Sequence, residues 1–193
     1  MYELPTEIIV EERQYRLRQD GDYRVILDAF SALEDDELTQ EERIISALII
    51  FYEDFNDVED VIRCNRLEEL VKSMYWFFRG GEDENSGKIK NQKLVDWDND
   101  SAIIVSAINN VAGKEIRAEK YLHWWTFLAY YTAISESVLS TVISIRNKLM
   151  CGKKLEKWEQ EYRTNNPHYF NWRHKTADDI DAENWLKSVW NKE

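Results

Sequence analysis

Tyr121-Leu-His-Trp-Trp-Thr-Phe-Leu-Ala-Tyr-Tyr-Thr-Ala-Ile-Ser-Glu-Ser-Val-Leu-Ser-Thr-Val-Ile-Ser-Ile-Arg146 is the most aromatic stretch of the chain. Tyr121, Trp124, Trp125, Phe127, Leu128, Tyr131 and Ile134 recur at spacings of three and four, the period of one broad buried helix face. Ser135-Glu136-Ser137 breaks the pattern, and Val138, Leu139, Val142, Ile143 and Ile145 resume it. The spacing predicts two helices meeting near Ser135, whose hydroxyl would accept a bond from the free N–H groups of the second. Together they would form a central helical hairpin over residues 119–150. The greasy run from Leu122 to Ile134 is shorter than the ~20 apolar residues a bilayer span needs. It therefore reads as core.

Outward from this stretch, composition supports a helical body. The chain has 193 residues, a length suited to one sizeable domain, and only two Pro and six Gly. That scarcity argues against a loop-rich sandwich. Net charge is −12. A general basic surface for nucleic acid is excluded, because neutralising phosphates needs clustered Lys and Arg, and anionic membranes would repel the chain. Cys64 and Cys151 are isolated, as expected of free thiols in a reducing compartment. Met1-Tyr2-Glu3-Leu4-Pro5 has neither the basic nor the apolar region of a signal peptide, so a cytoplasmic protein is expected.

The expected fold class is mainly α, a single helical domain over residues 1–165 with a small N-terminal β-hairpin at 6–18. Ile8-Ile9-Val10 and Tyr15-Arg16-Leu17-Arg18 are the strand runs, with Glu11-Glu12-Arg13 at the turn and no Asn-Gly or Asp-Gly to mark it. Asp22 is placed to cap a first helix. Thr39-Gln40-Glu41-Glu42 fits a capping box opening a second. Asn56 or Asp57 would cap a third, ending near Phe78, and Asp98 or Asp100 a fourth, stopped by Gly113. Gly80 to Lys88 reads as a polar loop, and its Lys88-Ile89 ending does not fit a phosphate-binding loop. Leu155, Trp158 and Tyr162 mark a short helix. Residues 166–193 read as a linker and a C-terminal amphipathic helix bearing Ile180, Trp185, Leu186, Val189 and Trp190.

Catalytic and metal chemistry find little footing. His123, His168 and His174 have no His or Cys four residues away, and a metal site needs three or four converging ligands. Ser135, Ser137 and Ser140 lack a nucleophile elbow. No enzyme activity, metal or cofactor is expected. Residues 34–60 carry eleven Asp or Glu against the single Arg43. A solvated face is the plain reading, and a patch for a basic partner helix is the functional one. Within it Glu34, Asp35, Asp36 and Glu37 are the candidate contact residues, joined by Arg79, Gly80 and Gly81. Arg79 could also cap the carbonyls before it.

Four stretches carry a resemblance: Leu4-Pro5-Thr6-Glu7-Ile8 with Asp22-Tyr23-Arg24, Tyr75-Trp76-Phe77-Phe78-Arg79-Gly80-Gly81, Asp96 to Val111, and His123-Trp124-Trp125-Thr126-Phe127 running to Arg146. Over residues 1–165 the chain resembles the bacteriophage gene-product-fifteen family of siphophages and prophages. Asp22, Arg24, His123, Trp124, Trp125, Phe127 and Arg146 are the signature positions. Glu11-Glu12-Arg13 departs from the family in lacking a turn glycine.

The resemblance implies a protein encoded between the major tail protein and the tape measure protein. It would act as a tail assembly chaperone in the host cytoplasm, absent from the mature virion. Its expected partner is the tape measure, with the major tail protein and self-association as further candidates. The alternative is a minor structural component retained in the tail. On either reading His123-Trp124-Trp125 is expected to be packed spine, with His123 bonded to a backbone or acidic neighbour.

Overall fold

The computed structural model describes residues 3–53, 55, 66–82 and 94–171. The expected helix starts at Asn56 or Asp57, most of the 80–88 loop and the C-terminal amphipathic helix lie outside the described residues. Among the described residues are seven α-helices and one two-stranded antiparallel hairpin, so the protein is mainly α. By packing they gather into two compact units, where the sequence reading takes 1–165 as one body. The first holds 3–53, 55, 66–82 and 120–128, and the second holds 94–119 and 129–171.

In the first unit, β1 (Glu7–Val10) pairs with β2 (Arg13–Arg16), Val10 opposite Arg13. Alternation buries Ile8, Val10 and Tyr15 and leaves Ile9 in solvent. The two-residue turn is Glu11-Glu12, both at positive φ (47° and 66°), the signature of the type I′ turn that matches strand twist. Beyond Leu17 the chain makes a left-handed turn, with Gln19, Asp20 and Gly21 at φ 49°, 53° and 78°. Asp22 then caps α1 (Tyr23–Leu33), accepting the Arg24 N–H at 3.0 Å, as its position predicts.

Thr39 and Glu42 form the expected capping box on α2 (Gln40–Phe51). The far end of α2 is closed from outside. Arg18 donates to the carbonyls of Ile49, Ile50 and Tyr52 at 2.8–3.1 Å, groups no intrahelical N–H can reach. Helix α1 packs along α2, which also touches α3 (Leu67–Phe78). Phe51, Tyr52, Phe77, Leu48, Ile26 and Met74 fill the centre.

In the second unit, α4 (Ser101–Ala112) ends at Gly113, left-handed at φ 68° as expected, and packs on α6 (Val138–Met150). Helix α7 (Lys157–Asn165) follows, then a single 3₁₀ turn, Pro167–Tyr169. Between α4 and α6 in sequence, α5 (Trp124–Thr132) begins among the residues of the first unit and ends among those of the second.

Three local expectations need correction. Ser137, not Ser135, caps α6, exchanging bonds with Ser140 in a capping box, because the helix starts where the apolar pattern resumes at Val138 and the cap is the residue just before it. Asp100 occupies the cap position of α4 but makes no capping bond, since an ion pair takes its carboxylate. The aromatic stretch is not one buried face. Trp124 and Phe127 are buried, Trp125, Leu128, Tyr131 and Ile134 are half-buried, and Tyr121 is exposed. Nine residues make only two and a half turns, too short for seven apolar positions to share one face.

Candidate functional site

The signature residues of the first unit converge on the C-terminal end of α3. Four carbonyls there have no partner within the helix. Backbone N–H groups take three of them. Arg79 donates to Tyr75, Gly80 to Phe77 and Gly81 to Trp76, all near 3.0 Å, and the last two make a Schellman closure. The indoles complete it. Trp124 Nε1 donates to the Phe78 carbonyl and Trp125 Nε1 to the Phe77 carbonyl, each at 2.9 Å. The closure thus uses main chain and tryptophan, and Arg79, read from the sequence as able to cap the preceding carbonyls, supplies one of its backbone donors. Both glycines stand at positive φ (73° and 85°), and a Cβ on Gly81 would lie 2.8 Å from the Trp125 ring. Arg79-Gly80-Gly81 and His123-Trp124-Trp125 are one structure. The glycines let the turn close and let the indoles seat on it.

His123 and Asp22 hold the other side. His123 precedes α5 and caps it, its Nδ1 accepting the Trp125 N–H at 3.0 Å. Nε2 therefore carries the proton and donates to the Pro5 carbonyl, also at 3.0 Å. Burial pushes the imidazole pKa down, against opposing pulls from the Pro5 bond and the Asp22 carboxylate. Asp22 is buried. One oxygen accepts the Leu122 N–H at 2.8 Å, and Arg24 bonds both oxygens at 3.1 Å. Arg24 also lies 4.5 Å over the Tyr23 ring, which stacks on Phe127 at 4.8 Å, which stacks in turn on Trp124 at 5.3 Å. Gly21 admits this assembly, for a Cβ there would meet Phe77 at 2.8 Å and His123 at 3.3 Å. Asp22, both His123 nitrogens and both indole N–H groups have partners within the protein. The arrangement clamps four chain segments, at Pro5, at Gly21 to Arg24, at Tyr75 to Gly81 and at Leu122 to Phe127.

Arg146, the last signature residue, belongs to the second unit. It is fully buried with Asp100 in a two-bond ion pair, one limb at 2.9 Å. The guanidinium also donates to the carbonyls of Leu94 and Tyr169, each at 2.9 Å, and Asp100 accepts the Asp96 N–H. Asp96 in turn gathers the N–H groups of Asp98 and Asn99. One guanidinium thus fixes the entry to α4, the middle of α6 and the turn after α7. Residues 166–170, grouped with the tail in the sequence reading, are packed here, with Phe170 buried.

Two surfaces remain. Glu34, Asp35, Asp36 and Glu37 form the exposed turn between α1 and α2, outside the aromatic clamp. Asp35 accepts the Glu37 N–H, and Asp36 lies 3.8 Å from Arg43. In the second unit an open cleft of about 600 Å³ lies between α6 and α7. Leu149, Leu155 and Phe170 line its floor, and Lys153 and Arg163 stand at its edge. The sequence reading missed it. A signal was present, since residues 147–171 hold five Lys or Arg against three Glu in an acidic chain. Among the described residues no three His, Cys, Asp or Glu are grouped to hold a metal ion, and no helix is long and apolar enough to cross a membrane.

These features define a mainly α protein whose signature residues are bonded into its own fold. The chain matches the family described as Bacteriophage Gp15 protein over residues 2–170 and belongs to that family. Comparisons with curated proteins and with solved structures find no match. The family stretch ends one residue after the Tyr169 carbonyl that Arg146 holds, and it includes residues 166–170.

Proposed function

We propose that this phage protein is a tail assembly chaperone that binds the tape measure protein before the tail tube polymerises. The observation that carries the reading is the family match across residues 2–170, together with the position beside the tape measure that the resemblance implies. The architecture supports it in two ways. First, the residues a family-level reading would suspect of chemistry are consumed in holding the fold, which suits stoichiometric binding and no catalysis. Second, the chain combines a net charge of −12 with an exposed acidic turn. A long helical client with apolar faces aggregates without cover, and an acidic coat keeps such a complex soluble by repulsion. Weak contacts repeated over many copies hold the client and still permit release. The protein acts in the host cytoplasm and leaves before the virion is complete.

Co-expression provides the test. The tape measure protein made alone is expected in the insoluble fraction, and made with this protein in the soluble fraction, co-purifying with it. A tape measure that stays insoluble in its presence contradicts the reading.

A further inference from the structure

We propose that the cleft between α6 and α7 of one copy receives the Glu34–Glu37 turn of a second copy, so that the protein associates head to tail. The cleft is concave, about 600 Å³, with an apolar floor and cations at its rim. Lys153 and Arg163 are exposed there, and the neighbouring Lys154 and Lys157 are exposed as well. Of the three glutamates nearby, Glu159 is already bound to Lys148 at 2.7 Å. The rim therefore calls for an anionic occupant, and the chain's net charge disfavours nucleic acid in that place.

The acidic turn has the complementary properties. It links two helices at the surface, it carries four successive exposed carboxylates, and half-buried Leu33 and Leu38 flank it to meet the apolar floor. Cleft and turn are different surfaces, so the contact is heterologous, and each copy that gives its turn keeps its own cleft for the next. One such contact is small and its charges stay near solvent, which makes it weak and salt-sensitive. An array on a long client needs contacts of that kind. The coating use rests on the proposed function, whereas self-association does not.

The full chain alone, without tape measure, is examined by analytical ultracentrifugation. The average mass is expected to rise above the 23.1 kDa of one chain as concentration increases at ~0.05 M salt, and to fall back at ~0.5 M salt. Reversing the rim (Lys153→Glu with Arg163→Glu) abolishes the rise, as does reversing the turn (Glu34→Lys with Asp35→Lys). Mixing the two variants restores association, through the intact turn of one and the intact cleft of the other, a rescue that misfolded variants cannot give. In a mixture of ¹⁴N and ¹⁵N chains, carbodiimide links Lys153 or Lys154 to Glu34–Glu37 across isotopes. A monomer at every concentration in low salt overturns the proposal. So does self-association that neither reversal weakens. Links from the rim lysines only to carboxylates of residues 178–183 in the same copy place the chain's own C-terminal stretch in the cleft, and overturn it too. Failure here leaves the co-expression result intact, which separates this inference from the chaperone reading.

Discussion

The two fastening points of this protein solve one problem with opposite chemistry. At the end of α3, loose helix carbonyls are satisfied by neutral donors, two indole N–H groups and three backbone amides. At Arg146 the donors are charged and the acceptors include a buried carboxylate, Asp100, besides two carbonyls. The aromatic clamp spreads its contribution over many contacts and depends on space left by glycines. The ion pair concentrates its contribution in one side chain, and removing one partner strands the other charge. Distributed and concentrated fasteners should therefore fail differently.

The largest expected effect is at the ion pair. Arg146→Ala leaves Asp100 charged, buried and unpaired, and should cost about 3–5 kcal/mol of stability, read from the shift in urea midpoint. Asp100→Asn with Arg146→Met should recover much of that loss, because an uncharged pair has less desolvation to offset. If Arg146→Ala costs under ~1 kcal/mol, the concentrated side of the comparison is wrong.

Next comes the space beneath the clamp. Gly21→Ala adds a Cβ 2.8 Å from Phe77 at a residue with φ 78°, and Gly81→Ala adds one 2.8 Å from Trp125 at φ 85°. Each should cost about 2–3 kcal/mol through crowding and left-handed strain. Gly113→Ala is the control. It shares the positive φ, but nothing lies within 4 Å, so only the strain remains, about 1 kcal/mol. Equal costs at Gly113 and Gly81 would show that the indoles do not depend on the space.

Acid should loosen the clamp first. His123 has a folded pKa held below its usual 6.5, chiefly by burial, so below that pH the unfolded chain takes up the proton more readily than the folded one. The contribution is complete above pH ~6.5 and declines as pH falls from there toward the folded value. Protonation also removes the Nδ1 acceptor that caps α5. Glu42 and Glu159, held low by bonds to Thr39 and Lys148 respectively, lose their contributions only at lower pH, below about 4.5. His123→Asn keeps a capping acceptor and does not titrate. Denaturation midpoints of this variant should be flat between pH 7 and 5.5 where the wild type declines, and a parallel decline would remove His123 as the cause.

The smallest effect lies outside both fasteners. Glu11 and Glu12 hold the left-handed conformations of a type I′ turn without the residues that favour them. Glu11→Asn with Glu12→Gly should stabilise by about 1 kcal/mol, visible as a higher melting temperature, with the pH response of His123 unchanged. No gain would mean that Glu11 is held by its 3.2 Å ion pair with Arg66 more than by the turn.

Much of this architecture was legible as local pattern. Thr39 and Glu42, Asp22 and Gly113 act where a cap or stop was read, because those signals depend on a few adjacent residues. What was hidden depends on partners far along the chain. Nothing near Trp124 and Trp125 says that they close a helix 46 and 48 residues earlier. Asp100 sits at a cap position and reads as a cap, and only Arg146 folding onto it reveals the competing bond. Gln19 and Asp20 adopt a left-handed turn held from outside it, by the Asp22 N–H on the Gln19 carbonyl and the Tyr121 hydroxyl on the Asp20 carbonyl. The candidate contacts divide on the same line. Gly80 and Gly81 turned out to be part of a fastener, whereas the basic cleft, built from α6, α7 and Phe170, has no signature beyond its charge balance.

The central claim is that the protein binds during tail assembly and then leaves, and quantitative mass spectrometry of purified virions tests it most directly. The account predicts that infected cells contain the protein in excess over tape measure, that finished particles contain none, and that phage lacking its gene accumulate heads without tails. A fixed copy number in washed, tail-bearing particles would contradict it and make the protein a structural part of the tail.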